Sequence, residues 1–381
     1  MRRLTNLLLI IAVFARSIIR GKATRIPTRP KKIVVAQLAQ IGDMVNTTHI
    51  FHHIKSKYPQ VKLSVMGKAI NKETLEYNKD VDEYIVFKNN LWGLYKLLKK
   101  ENVDVGILMN THFTSLAILF LGGVKCIIAP TVVDGYTPFE TKSYKVLRGL
   151  AIIIPVSANK NLHKENLKLL EPLGIHETGL KKYIGFSKEA KERVVLFFHE
   201  HGISAEEDFI VIINPSSGNK IKNWPGDRFA QVADHVYAKY GAKIVVLGGY
   251  ADEKEVSSMM KALNPKTKVI NTLNLFTIDE LKAVIASANM FISVDAGPLN
   301  IAIAFDVPTV NILGPAAEWA VQKGEFNRVV VNRGGAKAAI YPMNNREIDF
   351  KEARRQAEAI TAEMVISEVD DLYNTLMLSK Q

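Results

Sequence analysis

One cysteine, Cys126, serves a chain of 381 residues. That scarcity excludes an intrachain disulfide framework and a metal site built from several thiolates, and it suits a reducing compartment. Cys126 falls in the apolar run 124–129 and reads as a small buried hydrophobe. Acids are missing from the start of the chain: the first carboxylate is Asp43, whereas residues 1–32 hold nine Lys or Arg. Long apolar runs are missing there too. The N-terminal run, residues 7–15, stops at nine residues, and a bilayer-spanning helix needs about twenty. No G-x-x-x-x-G-K-[ST] occurs, and no G-x-G-x-x-G follows a strand pattern, so P-loop and dinucleotide-binding readings lose their main support. Neither a repeat at solenoid period nor a low-complexity block is present.

What remains is ordinary in bulk and uneven in distribution. Hydrophobic and charged fractions of 48% and 23% are those of soluble globular domains, and the length allows two cores. The net charge is +12. With Arg2, Arg3, Arg16, Arg20, Lys22 and Arg25 around an apolar centre, residues 1–30 read as an amphipathic helix on an anionic membrane surface, its charges on the headgroups. The same residues also admit a signal peptide ending near Ala15, or an ordinary first helix packed on a domain. Nucleic acid is not expected as a partner, because no recognition motif accompanies the charge.

Apolar strand patterns at 33–38, 61–66, 84–87, 105–108 and 125–129 alternate with helical ones at 44–58, 91–100 and from 112. Residues 131–155 give no clear pattern, 159–173 look helical, and the polar stretch 174–187 reads as an interdomain linker. The alternation then restarts, with strands at 209–213, 243–247, 268–270, 290–294 and 309–313. Helical patterns lie at 189–201, 227–240, 252–263, 278–287 and 299–305, and terminal helices at 351–376. Such alternation over short connections predicts an α/β chain with two doubly wound, Rossmann-like parallel sheets. The expected division is 1–30, 31–180, 187–350 and 351–381. Two open sheets in series place their carboxyl ends either side of a cleft, where chemistry is expected.

Three strand-to-helix turns carry candidate chemistry. Ile41-Gly42-Asp43-Met44 sets an acid at a helix start, where Gly42 permits the turn and Asp43 serves as a cap or as a reactive carboxylate. The loop from Ser216, Ser217 and Gly218 through Lys220, Lys222 and Trp224 follows a strand. Small residues and an ammonium can cradle a diphosphate there; the plainer reading is a surface loop anchored by Trp224. Asp295-Ala296-Gly297-Pro298 breaks a buried strand and opens a helix whose Gly297, Leu299 and Asn300 N–H groups would face an anion. Alternatively, Asp295 caps that helix and Pro298 fills its first turn. His49, His52 and His53 read as solvated helix residues rather than ligands, and Asp80-Val81-Asp82 as a solvated turn rather than a metal clamp.

Together, AQLAQIGDMVNTTHIFHHIKSKYP, NPSSGNKIKNWPGDRFAQVADHV and ISVDAGPLNIAIAFDVPTVNILGP resemble the three signature blocks of the heptosyltransferases, glycosyltransferase family 9, in family order. The similarity extends loosely over residues 32–315, and the opening helix has no counterpart in it. The resemblance implies a GT-B fold, with 31–180 binding an acceptor and 187–350 a nucleotide sugar. It implies inverting transfer of a heptose from ADP-heptose to a lipopolysaccharide-core or similar glycolipid acceptor, with no metal and no cofactor beyond the donor. Such an enzyme is peripheral on the cytoplasmic face of a bacterial inner membrane. By position, Asp43 matches the family's candidate general base and Lys222 the lysine on the donor diphosphate. Asp295 and Gly297 match a donor-binding Asp-Thr-Gly. Two positions depart from the pattern: Ala296 replaces the threonine, and Asn300 replaces a histidine three residues after the glycine. Both put the identity of the donor in question. The competing expectations are a sugar-nucleotide epimerase on the same fold and a weakened, binding-only relative.

Overall fold

The computed structural model describes residues 2–88, 90–341 and 348–379, so the ends of the expected ranges at 1, 380–381 and within 342–347 lie outside the described residues. The chain divides into two compact units, the first running to Tyr183 and the second starting at Ile184.

In the first unit the strands are β1 (Lys32–Gln37), β2 (Lys62–Gly67), β3 (Glu83–Val86), β4 (Val105–Leu108), β5 (Cys126–Val133) and β6 (Ile152–Ser157). All pair parallel, in the order β3-β2-β1-β4-β5-β6. Residues alternate across the sheet: Ile33 and Val35 join one buried cluster, Val34 and Ala36 the other. Both faces are covered, which is why β1 reads as an unbroken apolar run. Cys126 is fully buried within it, and burial pushes its thiol up to about 11.

The second unit repeats the plan. Its strands are β7 (Ile210–Asn214), β8 (Lys243–Val246), β9 (Val269–Asn271), β10 (Met290–Val294), β11 (Thr309–Ile312) and β12 (Asn327–Val330). They too are parallel, in the order β12-β11-β10-β7-β8-β9. Counted from its own first strand, each sheet runs 3-2-1-4-5-6. Each therefore reverses direction once, between β1 and β4 or between β7 and β10, and ligands of such sheets bind outside the carboxyl ends at that point.

Several expectations are corrected. Residues 131–155 contain the end of β5, a helix Lys142–Arg148 and the start of β6. Pro155 obscures β6 in the sequence, and the strand tolerates it because β6 is an edge. The other edge strand left unread, β12, is short and opens on Asn327-Arg328. Helix α2 (Ile41–Lys57) starts three residues early because Gln40 takes the N-cap position. The stretch 174–187, expected as an interdomain linker, holds the boundary between the two units, and its first part is tied to the first unit. Tyr183 donates its N–H to Thr48 Oγ1 (2.8 Å) and stacks on His52 at 3.9 Å, while His53 meets Gly179 O at 2.8 Å. His52 also contacts Asp80, and Asp82 accepts from Leu63 N and Lys55, so the acidic turn is structural. His49 is buried rather than solvated, and burial first, then His163 and His53, lowers its pKa to about 3.

Candidate functional site

In the second unit, β7 and β10 are hydrogen-bonded neighbours with Asn214 level with Ser293, so the loops that leave their carboxyl ends lie side by side. Two of the three sequence blocks are thereby brought together. The Lys222 ammonium sits 2.7 Å from Asp295 Oδ2, with both side chains about one-fifth exposed. Ser217 Oγ donates to Asp295 O (3.1 Å), and Ser217 N donates to Asn223 Oδ1 (2.9 Å). Beneath them Asn214 Nδ2 donates to Ser293 Oγ and Ser216 O.

Asp295 does not cap the following helix. The N-cap of Gly297–Ala304 is Ala296, in an extended conformation, with no side-chain cap hydrogen bond; Pro298 does fall in the first turn. The N–H groups of Gly297, Leu299 and Asn300 thus sit at a helix start whose preceding residue offers no oxygen to them, beside the Lys222–Asp295 pair. Such a terminus favours an anion. Asn300 turns its amide back to Ala296 O at 3.1 Å.

The remaining loop residues form a buttress. Ser216 is buried, and its hydroxyl donates to Asp252 Oδ1 at 2.6 Å. Lys220 bridges Ser216, Asp252 and Glu255, and Asn223 Nδ2 donates to Glu255. Burial alone would raise the Asp252 carboxyl, but hydrogen bonds from Ser216, Gly249 N and Lys220 hold it below the usual range. Gly218 faces open space. Trp224 is the anchor the sequence suggested: it is buried, packs edge-on against Phe229 and donates Nε1–H to Ile360 O (2.9 Å). Arg228 adds bonds to Glu358 O and Ile360 O. Gly226 is needed at its place, since a Cβ there would lie 2.8 Å from Met259 N.

The third block lies at the other switch point, in the first unit. Asp43 is exposed in the first turn of α2, where its Oδ2 accepts Gln40 N–H at 3.1 Å. It is thus the reciprocal member of a capping box and not the N-cap itself. Sequence reasoning missed what holds it. Gln37 Oε1 accepts from Ala39 N and from Asn110 Nδ2 beyond β4, and Gln37 Nε2 donates to Thr47 Oγ1, which donates to Asp43 O. Polar residues at the last position of a strand, Gln37 and Asn214 alike, were the available signal.

Two doubly wound sheets, each with polar loops gathered at its switch point, define an α/β protein of the Rossmann-like class. Residues 91–332 match the family model of glycosyltransferase family 9 (heptosyltransferase), a span that includes Lys222 and Asp295 but not Asp43. The chain is similar to lipooligosaccharide heptosyltransferase 2 of Campylobacter jejuni subsp. jejuni serotype O:6, 32% identical over 293 residues, 74% of this chain and 82% of that one. It is also similar to lipopolysaccharide heptosyltransferase 3 of Escherichia coli, 24% identical over 285 residues, 72% and 80% of the two chains. Among solved structures, the ADP-heptose lipopolysaccharide heptosyltransferase II of E. coli superposes with a TM-score of 0.72 at 17% identity, covering 92% of this chain and 100% of that one. That likeness is one of fold, and the expected GT-B class of two Rossmann-like units stands. The chain belongs to glycosyltransferase family 9, the heptosyltransferases, and is a glycosyltransferase.

Proposed function

We propose that the protein transfers a heptose or related sugar, with inversion and without a metal, from a nucleoside-diphosphate donor to a glycolipid acceptor. ADP-heptose and a lipopolysaccharide core are the donor and acceptor most in keeping with its relatives. The observation that carries this reading is the Lys222–Asp295 pair at the β7/β10 switch point, beside a helix start with no side-chain cap. Lys222 and the Gly297, Leu299 and Asn300 N–H groups hold the diphosphate, and Asp295 orients the ammonium. As the bond from the anomeric carbon to the diphosphate oxygen breaks, the same groups stabilise the charge that develops on the leaving diphosphate.

Asp43 of the first unit takes the proton of the acceptor hydroxyl as that oxygen attacks the anomeric carbon from the opposite side. Attack opposite the leaving group inverts the configuration. Its exposure and its capping-box bond fit this role: one oxygen is fixed by Gln40 N–H, which orients the carboxylate. The enzyme works on the cytoplasmic face of a bacterial inner membrane, with the outward face of the N-terminal helix against anionic lipid.

Incubation with ADP-heptose and a heptose-deficient core lipid tests the reading. It predicts ADP release matched by a one-heptose mass gain on the lipid. ADP binding without either product would favour the weakened, binding-only relative to which Ala296 and Asn300 point. Altered donor without acceptor gain would favour an epimerase.

A further inference from the structure

The N-terminal helix α1 (Arg2–Arg20) has an inside and an outside. Its inner side belongs to the core of the first unit: Val13 is fully buried, and Leu9 and Ile10 pack on the same cluster. Arg20 donates to Phe120 O and Val124 O, and its guanidinium lies 4.7 Å over the Phe120 ring. That charge caps the end of the helix Phe113–Leu121 and is not turned outward to headgroups. The outer side is apolar from residue 7 onward, with exposed Thr5 at its N-terminal edge. Residues 7, 8, 11, 12, 14, 15, 18 and 19 are exposed, none is polar, and they share an arc of about 160°. Ile18 and Ile19 are 87% and 90% exposed.

Two more helices pack on Phe113–Leu121, Leu91–Glu101 and Lys142–Arg148. On the first, Trp92 is 64% exposed and stacks on Tyr95 at 5.1 Å, with Lys96 over one ring and Lys99 over the other. Lys142 and Lys145 are exposed on the second, next to exposed Val146. Acids are nearly missing from this surface. Neither α1 nor Lys142–Arg148 has one, and Glu101 is tied to Lys32 and Lys62.

We propose that these three helices form one rigid docking face for an anionic lipid bilayer, with α1 in the acyl boundary. Trp92 and Tyr95 sit at headgroup depth, and the lysines lie on lipid phosphates. Amphipathic aromatics and unopposed lysines around an apolar strip are what an anionic interface selects. A second copy of the chain is a poor occupant, because two such faces would set lysine against lysine. The inference rests on the membrane reading given above and changes its form. The helix is part of the folded unit and not a detachable tether, so deleting residues 1–25 would strip Val13 and Ala23 from the core.

The test uses the full chain, vesicles with and without phosphatidylglycerol, and surface variants that spare the core. Wild type is expected to sediment with phosphatidylglycerol vesicles at least tenfold more tightly than with neutral ones. Ile18→Ser with Ile19→Ser, and separately Lys96→Glu with Lys99→Glu, should each weaken that binding about tenfold. Brominated lipids should quench fluorescence that is lost in Trp92→Phe. If only the α1 variant loses binding and Trp92 is not quenched, the composite face is overturned while the membrane reading survives. If wild type binds neither vesicle, both fall. Concentration-dependent dimers abolished by the isoleucine variant would assign the face to a second copy and overturn the proposal.

Discussion

The two sheets share a strand order and differ in what they gather at the switch point. In the second unit the loops are knit by charge: Lys222 with Asp295, and Lys220 with Asp252 and Glu255. At the matching place in the first unit, neutral amides and hydroxyls do the holding, Gln37 with Asn110 and Thr47, and the exposed acid Asp43 accepts Gln40 N–H in the first turn of α2. A charged scaffold suits a site that must attract and stabilise a diphosphate. On the proposed reading, one fold used twice separates anion binding from proton transfer.

The largest expected effect breaks the first-unit side. Asp43→Asn keeps an oxygen for Gln40 N–H but cannot accept a proton, so transfer should fall at least about a hundredfold in kcat. Donor affinity should hold, and the melting temperature should drop only by the modest loss of a charge at a helix start. Near-normal transfer by the folded variant would make Asp43 a capping residue only.

On the second-unit side, Lys222→Ala should weaken ADP binding by about 1.5–3 kcal/mol in calorimetry. The pair with Asp295 sharpens this. If Asp295 only orients Lys222, removing both should cost little more than removing Lys222 alone, and a double-mutant cycle reads the coupling directly. Unchanged affinity in the single variant would remove Lys222 from the donor site.

Smaller still is Ala296→Thr. Ala296 is an extended N-cap with no side-chain bond, so a hydroxyl there should add roughly 0.5–2 kcal/mol in urea unfolding. No gain would mean that the first-turn N–H groups already have partners.

The smallest effect concerns pH. The Asp252 carboxyl lies below its ordinary value in the fold, so its stabilisation is present above the unfolded value and is lost as pH falls through the folded one. Ser216→Ala should reduce the loss of stability seen on acidification below about pH 4, while changes in the uncharged Gln37 network should leave it unaltered.

Most of this architecture was legible because helices cover both faces of each sheet, which forces central strands such as β7 and β10 to be continuous apolar runs. Two of the four edge strands escaped for the converse reason: β6 and β12 need bury less, and so tolerate Pro155 and Arg328. The site was legible as three turns but not as contacts. That Lys222 meets Asp295 depends on which strands are neighbours, and strand order is not written in local periodicity. His49 misled because three histidines at helical spacing look alike until the packing of α2 buries one of them.

Trp224 gives the end of the chain a stake in the proposed donor loop. Its indole, with Arg228, fastens the residues after Lys222 to the carbonyls of Glu358 and Ile360, in the turn between Phe350–Glu358 and Ala362–Ser379. A stop codon ahead of that turn would keep every residue of the loop in the chain, yet unfasten it and strip Ile360, Val365, Val369 and Leu372 from the second unit's core. Nucleotide affinity would then decline in a molecule whose first unit stayed intact, a loss that an inspection of site residues alone would never trace to the tail.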